Sequence, residues 1–178
     1  MKPTIVIIGG GGHGKVVFDA VIAQGSYQVV GFMDSILAVG TTVVQGYKVV
    51  LAQSEMDSLA KFCDHFVVAV GNNTARREIF QAAQKIVKPA TIIHPSAVIG
   101  SEVKIGKGSV VLANAVINSH SSIGENSIVN SGVIIDHECH IGSHTHLATG
   151  VVVGSNSEVG NDQLLLVGEK IKSFSKIV

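Results

Sequence analysis

Residues 123–141 read IGENSIVNSGVIIDHECHI, and an aliphatic residue stands at Ile123, Val129, Ile135 and Ile141, one every sixth position. The beat holds in both directions. It runs through Ile93, Ile99, Ile105, Val111 and Ile117 on one side and through Leu147, Val153, Val159 and Leu165 on the other. Two residues before most of these lies a small or modest side chain, among them Ala97, Ser109, Ala115, Ser121, Ser127, Cys139, Thr145 and Ser157. Just after them Gly, Asn or Asp recurs, at Gly100, Gly106, Asn118, Gly124, Asn130, Asp136, Gly142, Gly154 and Gly160. A period of six suits neither a helix nor a flat strand. It suits a prism whose faces are short strands, each burying one aliphatic, with Gly, Asn or Asp expected to carry the unusual backbone angles at the corners. Three faces close a coil of eighteen residues, which makes about four coils here.

The pattern resembles the left-handed β-helix of hexapeptide-repeat acyltransferases. The period supplies the coil, while the left hand is implied only by the resemblance, since ordinary parallel crossovers are right-handed.

Composition narrows the remainder. The chain has 178 residues, is 46% hydrophobic, and carries thirteen basic and thirteen acidic side chains. That is enough apolar chain for one large or two small cores. Without a basic block, nucleic acid is not an expected partner. The apolar run Thr4 to Ile8 is short and ends in glycines, so neither a signal peptide nor a membrane span is expected, and the cytoplasm is the expected compartment. Cys139 falls on a small inward position of the repeat, where packing rather than nucleophilic chemistry is its expected role.

Upstream of the repeat, Thr4 to Ile8 reads as a buried strand, Gly9 to Gly14 as a glycine loop containing His13, and Lys15 to Gln24 as a helix. Strand, loop and helix form a phosphate cradle, because bare backbone N–H groups at a helix N-terminus can approach an anion closely. Gly9, Gly11 and Gly14 also match a dinucleotide fingerprint, and Gly9, Gly14 and Lys15 nearly match a P-loop. Val16 stands where a P-loop needs Ser or Thr for magnesium. A second strand from Gln28 to Met33 ends at Asp34, whose carboxylate is a candidate acceptor for a ribose or base. A third runs from His65 to Val70 and leads into Gly71-Asn72-Asn73. Then comes a helix from Thr74 to Val87 with Thr74 as its expected cap. Fewer than ninety residues hold only about half of a dinucleotide-binding fold, so a mononucleotide or nucleotide-sugar is expected. The expected division is 1–88 for this Rossmann-like α/β domain, 89–162 for the β-helix and 163–178 for an atypical tail.

The glycine loop, Asp34, Gly71-Asn72-Asn73 and the segment Asp136-His137-Glu138-Cys139-His140-Ile141-Gly142 together resemble the bacterial PglD/NeuD-type sugar acetyltransferases, from Ile5 to about Gly160. The resemblance implies an acetyl-CoA-dependent transferase of bacterial glycan biosynthesis. In that reading the N-terminal domain holds a nucleotide-linked amino sugar, and acetyl-CoA lies between the subunits of a homotrimer. It implies His137 as general base and Glu138 as its acidic partner. His146, Gly154 and Ser155 fall at cofactor-contacting positions, and Gly9, Gly12, His13, Gly14, Asp34, Gly71 and Asn72 at sugar-nucleotide positions. No metal is expected. Sialic acid O-acetylation is the alternative within the same architecture. A zinc lyase of the γ-carbonic-anhydrase kind and a non-catalytic nucleotide-sugar-binding scaffold are the more distant ones.

The residues themselves agree with this reading. His137 lies between the inward positions Ile135 and Cys139 and so projects outward. An imidazole can accept a proton from an attacking amine near neutral pH, with a carboxylate fixing its tautomer. Stacking by eighteen sets Ser119 against His137, His140 against Glu158, and His120 against Glu138, which makes His120 a candidate second partner of that carboxylate. His137 and His146 are half a coil apart, so joint action on one cofactor requires two subunits.

The tail departs from the pattern. Gln163 and Glu169 occupy small inward positions, and a buried polar side chain without a partner costs about 1–3 kcal/mol. An irregular segment from Gln163 to Val178 is therefore expected, and with it weak acetyl-CoA binding.

Overall fold

The computed structural model describes residues 1–178 as two compact units, Met1–Ala90 and Thr91–Val178. No helix is long and apolar enough to cross a membrane.

In the first unit the order is β1 (Thr4–Ile8), α1 (Gly12–Gln24), β2 (Gln28–Asp34), β3 (Thr42–Val44), β4 (Tyr47–Ala52), a 3₁₀ segment (Gln53–Lys61), β5 (His65–Val68), α2 (Asn73–Ala83) and β6 (Lys88–Pro89). One sheet runs β3-β4-β2-β1-β5-β6, parallel except for the β3–β4 hairpin. Ile5, Val6, Ile7 and Ile8 are all fully buried, as a central parallel strand covered on both faces requires. The helices take opposite faces. Phe80 of α2 packs on Phe66 in a core with Val6, Ile8 and Met33, whereas Phe18 of α1 meets Phe32 and Tyr47. Several boundaries differ from expectation: β5 ends at Val68 rather than Val70 and α2 at Ala83 rather than Val87. Helix α1 begins inside the glycine run at Gly12, and α2 is capped by Asn72, whose Oδ1 accepts the Ala75 N–H at 2.9 Å, rather than by Thr74.

The second unit is a parallel β-helix of two-residue strands at six-residue intervals. Its first face carries Ile92–Ile93, Val110–Val111, Ile128–Val129, His146–Leu147 and Leu164–Leu165. The second carries Val98–Ile99, Val116–Ile117, Ile134–Ile135, Val152–Val153 and Lys170–Ile171. The third carries Lys104–Ile105, Ser122–Ile123, His140–Ile141, Glu158–Val159 and Lys176–Ile177. Every strand pairs with the one eighteen residues on, including His140 with Glu158. The second residue of each pair points inward and forms the apolar core.

Two of the three corners are stitched from inside by hydroxyls. Ser127 Oγ donates to Gly142 O at 2.9 Å and accepts the Thr145 N–H at 3.2 Å, and Ser121 and Thr145 repeat this pattern one corner before and one coil after. This explains Ser and Thr at buried inward positions, since each satisfies a corner carbonyl and an N–H that the strands leave unpaired.

The corner glycines have a different role from the one expected. The left-handed backbone angles fall three residues after each aliphatic, at Glu102, Asn114, His120, Asn126, Glu138, His144, Asn156, Asp162 and Phe174, and at Gly108, Gly132, Gly150 and Gly168. The glycines directly after the aliphatics have no such φ; they let stacked coils touch. A Cβ on Gly142 would stand 2.5 Å from Asn161 N and Gly160 C.

The tail also corrects the sequence reading, because the coil continues regularly through Lys176–Ile177. Gln163 and Glu169 are half buried and find partners. The Gln163 amide donates to Asn161 O at 3.2 Å, and the Glu169 carboxylate accepts the Leu166 N–H at 2.7 Å, closing its own corner. The ground for expecting weak acetyl-CoA binding goes with the irregular tail.

Candidate active site

His137 sits at the corner between the second and third faces of the β-helix. Glu138 adopts the left-handed conformation, φ 59°, and its carboxylate Oε2 lies 3.1 Å from His137 Nδ1. Both side chains are about half exposed, 52% and 55%. Assigning the Nδ1 proton to this bond leaves Nε2 as the free acceptor, the tautomer a general base requires. Asp136 Oδ1 accepts the His137 backbone N–H at 2.8 Å and an Asn118 amide proton at 3.1 Å. These two donors, the backbone N–H first, hold the Asp136 carboxyl below the usual carboxylate range. Asp136 and Asn118 thus anchor the backbone that carries His137. A legible signal marked Asp136, since a carboxylate replaces the glycine found at positions 100, 154 and 160 of the repeat.

Ser119 and Ser155 flank His137 one coil before and one coil after. Glu138 N donates to Ser119 O at 3.0 Å, and Asn156 N donates to His137 O at 3.1 Å. Gly154 and Ser155 therefore share the His137 corner. His146 does not, since it lies on the first face, with Nε2 3.5 Å from the Asn130 amide. His120 occupies the same corner one coil before Glu138, but its side chain makes no bond to that carboxylate, which is turned toward His137. No three of the His, Cys, Asp and Glu side chains converge on a metal position, and His137, His140, His144 and His146 are spread around the coil.

The glycine loop of the first unit forms a second candidate site. A cleft of about 350 Å³ opens at the carboxyl ends of β1 and β2, lined by Gly10, Gly11, Gly12, Lys15, Asp34, Ile36, Leu37 and Thr41 to Val43. The sheet order reverses at β1, with β2 on one side and β5 on the other, the kind of switch point at which open α/β sheets hold ligands. Helix α1 starts here with no side-chain cap and no acidic residue in its first turn, so its N-terminus faces the cleft uncompensated. Gly14 is forced by the close approach of Gly9 O to any Cβ, and Gly9 by Ala69 O, 2.7 Å from its own. Their part is to shape the turn.

Asp34 spans the loop. Its Oδ2 accepts the Gly10 N–H at 2.7 Å, and its Oδ1 accepts those of Ile36 and Leu37 at 2.7 and 2.8 Å. Burial alone would raise its pKa, but the N–H groups of Leu37, Gly10, Ile36 and Ser35 outweigh this and hold it below the ordinary value. A carboxylate has about four lone-pair positions, so capacity remains for a ligand. Gly71 and Asn72 do not line the cleft, and neither does His13. Asn72 Oδ1 caps α2, and the buried Arg76 guanidinium ties the preceding turn by donating to Val70 O and Gly71 O at 3.1 and 3.2 Å. No sequence motif marked Arg76, Ile36, Leu37 or the Thr41 to Val43 wall.

Comparison with known proteins bears on both units. The family described as the PglD N-terminal domain matches residues 4–83, and that described as the GMPPB C-terminal domain matches residues 76–178. PerB from Caulobacter crescentus, solved in complex with CoA and GDP-perosamine, is 32% identical. It superimposes with a TM-score of 0.73 over 97% of this chain and 84% of its own. The acetyltransferase domain of PglB from Neisseria gonorrhoeae is 30% identical, with a TM-score of 0.78 over 99% of this chain and 92% of its own, and has also been solved with acetyl coenzyme A. The chain belongs to the PglD/NeuD-type sugar acetyltransferase family. UDP-N-acetylbacillosamine N-acetyltransferase from Bacillus subtilis is 30% identical over 114 residues, 61% of this chain, and this chain spans about half the length of that relative, 51%. The architecture is that of the family, an α/β domain followed by a left-handed parallel β-helix.

Proposed function

We propose that this protein transfers the acetyl group of acetyl-CoA to the amine of a nucleotide-linked amino sugar. The observation that carries the reading is the His137–Glu138 pair, held at an exposed corner with Nε2 free. In this mechanism Nε2 takes a proton from the amine as its nitrogen attacks the thioester carbonyl, and the imidazolium that forms is stabilised by Glu138. Backbone N–H groups of the coil receive the developing oxyanion. Collapse of the tetrahedral intermediate breaks the C–S bond, and the imidazolium returns the proton to the departing thiolate. The relatives' ligands, GDP-perosamine and CoA, support both co-substrates. The Gly10–Asp34 cleft, with the uncapped N-terminus of α1 and Lys15, receives the nucleotide.

The assembly in this reading is a homotrimer with sites between subunits. On the second face the outward residues Val98 and Ile134 are 58% and 42% exposed, with Val116 and Val152 between and beyond them. This apolar strip borders the His137 corner, as an interface completing the site should. Use of acetyl-CoA fits a cytoplasmic enzyme. Thiol release over a panel of UDP- and GDP-linked amino sugars and CMP-sialic acid tests the reading. Turnover on an amino sugar is expected. Turnover on CMP-sialic acid alone would replace N-transfer by O-transfer, and release on none would remove the assignment.

A further inference from the structure

A second depression lies on the same corner as His137, one coil earlier. It has a volume of about 310 Å³ and is lined by Glu102, Lys104, His120, Ser121, Ser122 and His140. We infer that this depression receives the acceptor sugar ring and selects which sugar is acetylated. The inference rests on the reading of His137 as the base.

Three observations carry it. The first is position. His120 precedes Glu138 by one turn of the coil, and stacked strands stand about 4.8 Å apart, so a ring seated beside His120 can present a substituent to His137. The floor of the depression is bonded to the segment that bears the base, because Ser121 Oγ donates to Asp136 O at 2.8 Å and accepts the Cys139 N–H at 3.0 Å.

The second is the state of the lining groups. Ser122 Oγ and His140 Nδ1 are 2.8 Å apart and hold each other in place, which leaves His140 Nε2 open. The side chains of Glu102, Lys104 and His120 are engaged in no hydrogen bond or ion pair within the chain. Elsewhere on this face the charges are paired, as Glu158 is with Lys176 at 2.7 Å.

The third is the mixture of chemistry. Glu102 only accepts, Lys104 only donates, and the imidazoles and the serine hydroxyl do either. A phosphate would meet the Glu102 carboxylate and be repelled. A neutral polyol offers a donor and an acceptor at each hydroxyl and can use the whole set.

Calorimetry with GDP-perosamine against GDP, and with a UDP-linked amino sugar against UDP, tests the assignment on the full chain. The wild-type protein is expected to bind the nucleotide-sugar it acetylates more tightly than the bare nucleoside diphosphate. The double variant Glu102→Gln with Lys104→Gln should lose about tenfold of that increment, the scale of one polar contact of about 1.4 kcal/mol, and bind the bare nucleotide unchanged. KM for the nucleotide-sugar should rise in step, while KM for acetyl-CoA stays constant. Ser122→Ala, which frees the His140 ring, gives a milder form of the same pattern and guards against a folding defect in the double variant. An increment that survives in both variants, an equal loss for the bare nucleotide, or no increment in the wild type for either sugar overturns the subsite. Absence of thiol release with an intact, variant-sensitive increment overturns the transferase reading and leaves the subsite standing.

Discussion

Gly142→Ala tests the mechanical core of the β-helix. The added methyl would stand 2.5 Å from Asn161 N and Gly160 C and 2.6 Å from Gly160 O. That is about 1 Å inside the ~3.5 Å separation at which carbon atoms rest. All three neighbours are backbone, so the strain is relieved only by parting the coils, which loosens the Gly142 N–H to Val159 O bond of 2.7 Å and the Asp162 N–H to Ser143 O bond of 2.9 Å. Overpacking of this kind costs about 1–3 kcal/mol and each of the two weakened bonds about 0.5–1.5 kcal/mol, for a loss of roughly 2–6 kcal/mol. At this chain length that lowers the melting temperature by roughly 4–24 °C. Gly132→Asn is the matched control, because Gly132 has φ 68° and open space around its Cβ, and Asn114, Asn126 and Asn156 already adopt this conformation. Its expected shift is under about 2 °C. Thermal unfolding followed by far-UV circular dichroism reads both. A neutral Gly142→Ala, or a Gly132→Asn that costs more, would refute the assignment of these glycines to close approach rather than to backbone angle.

Asp34 should contribute to stability above its unfolded pKa and lose that contribution as pH falls through its depressed folded value. The stability gap between wild type and Asp34→Asn should therefore shrink below roughly pH 4, as denaturant titrations at several pH values would show; a constant gap contradicts the origin given for the shift. Asp34→Ala should weaken nucleotide-sugar binding and leave acetyl-CoA binding intact, and calorimetry returning the reverse would reassign the cleft. Arg76→Met should destabilise the first unit by about 1–3 kcal/mol, since two partly buried carbonyls lose their donor; an unchanged denaturation midpoint would show that the guanidinium holds nothing. Ile134→Glu should shift sedimentation toward the monomer and reduce turnover together, and an unchanged oligomer would move the interface off the second face.

The coil was legible because its signal is redundant, with each aliphatic from Ile93 to Leu165 repeating the same packing. The His137–Glu138 pair was legible through the family resemblance of the segment Asp136 to Gly142, since polar pairs such as Ser119-His120 and Ser155-Asn156 stand at the same corner in other coils. What misled was the assumption that glycine in a repeat marks backbone angle. Here the left-handed angle is carried by Glu102, His120, Glu138 and even Phe174, while Gly106, Gly124 and Gly142 mark proximity to a coil eighteen residues away. The tail misled for a related reason. Gln163 and Glu169 are inward in register, yet they are not fully buried, and each polar group has a backbone partner at its own corner, Asn161 O for the Gln163 amide and the Leu166 N–H for Glu169. The support given by Asn118 to Asp136 and by Arg76 to the turn before α2 depends on side-chain partners that periodicity does not encode. Likewise the Thr41 to Val43 wall of the cleft comes from a hairpin too short to show alternation.

The central claim is that His137, tautomerically fixed by Glu138, removes the proton from the attacking amine. Steady-state thiol release by His137→Ala, beside calorimetric binding of the same nucleotide-sugar, tests it most directly. Loss of a general base predicts a fall in kcat of about 10²- to 10⁴-fold with nucleotide-sugar affinity unchanged. Turnover close to wild type in that variant would contradict the account.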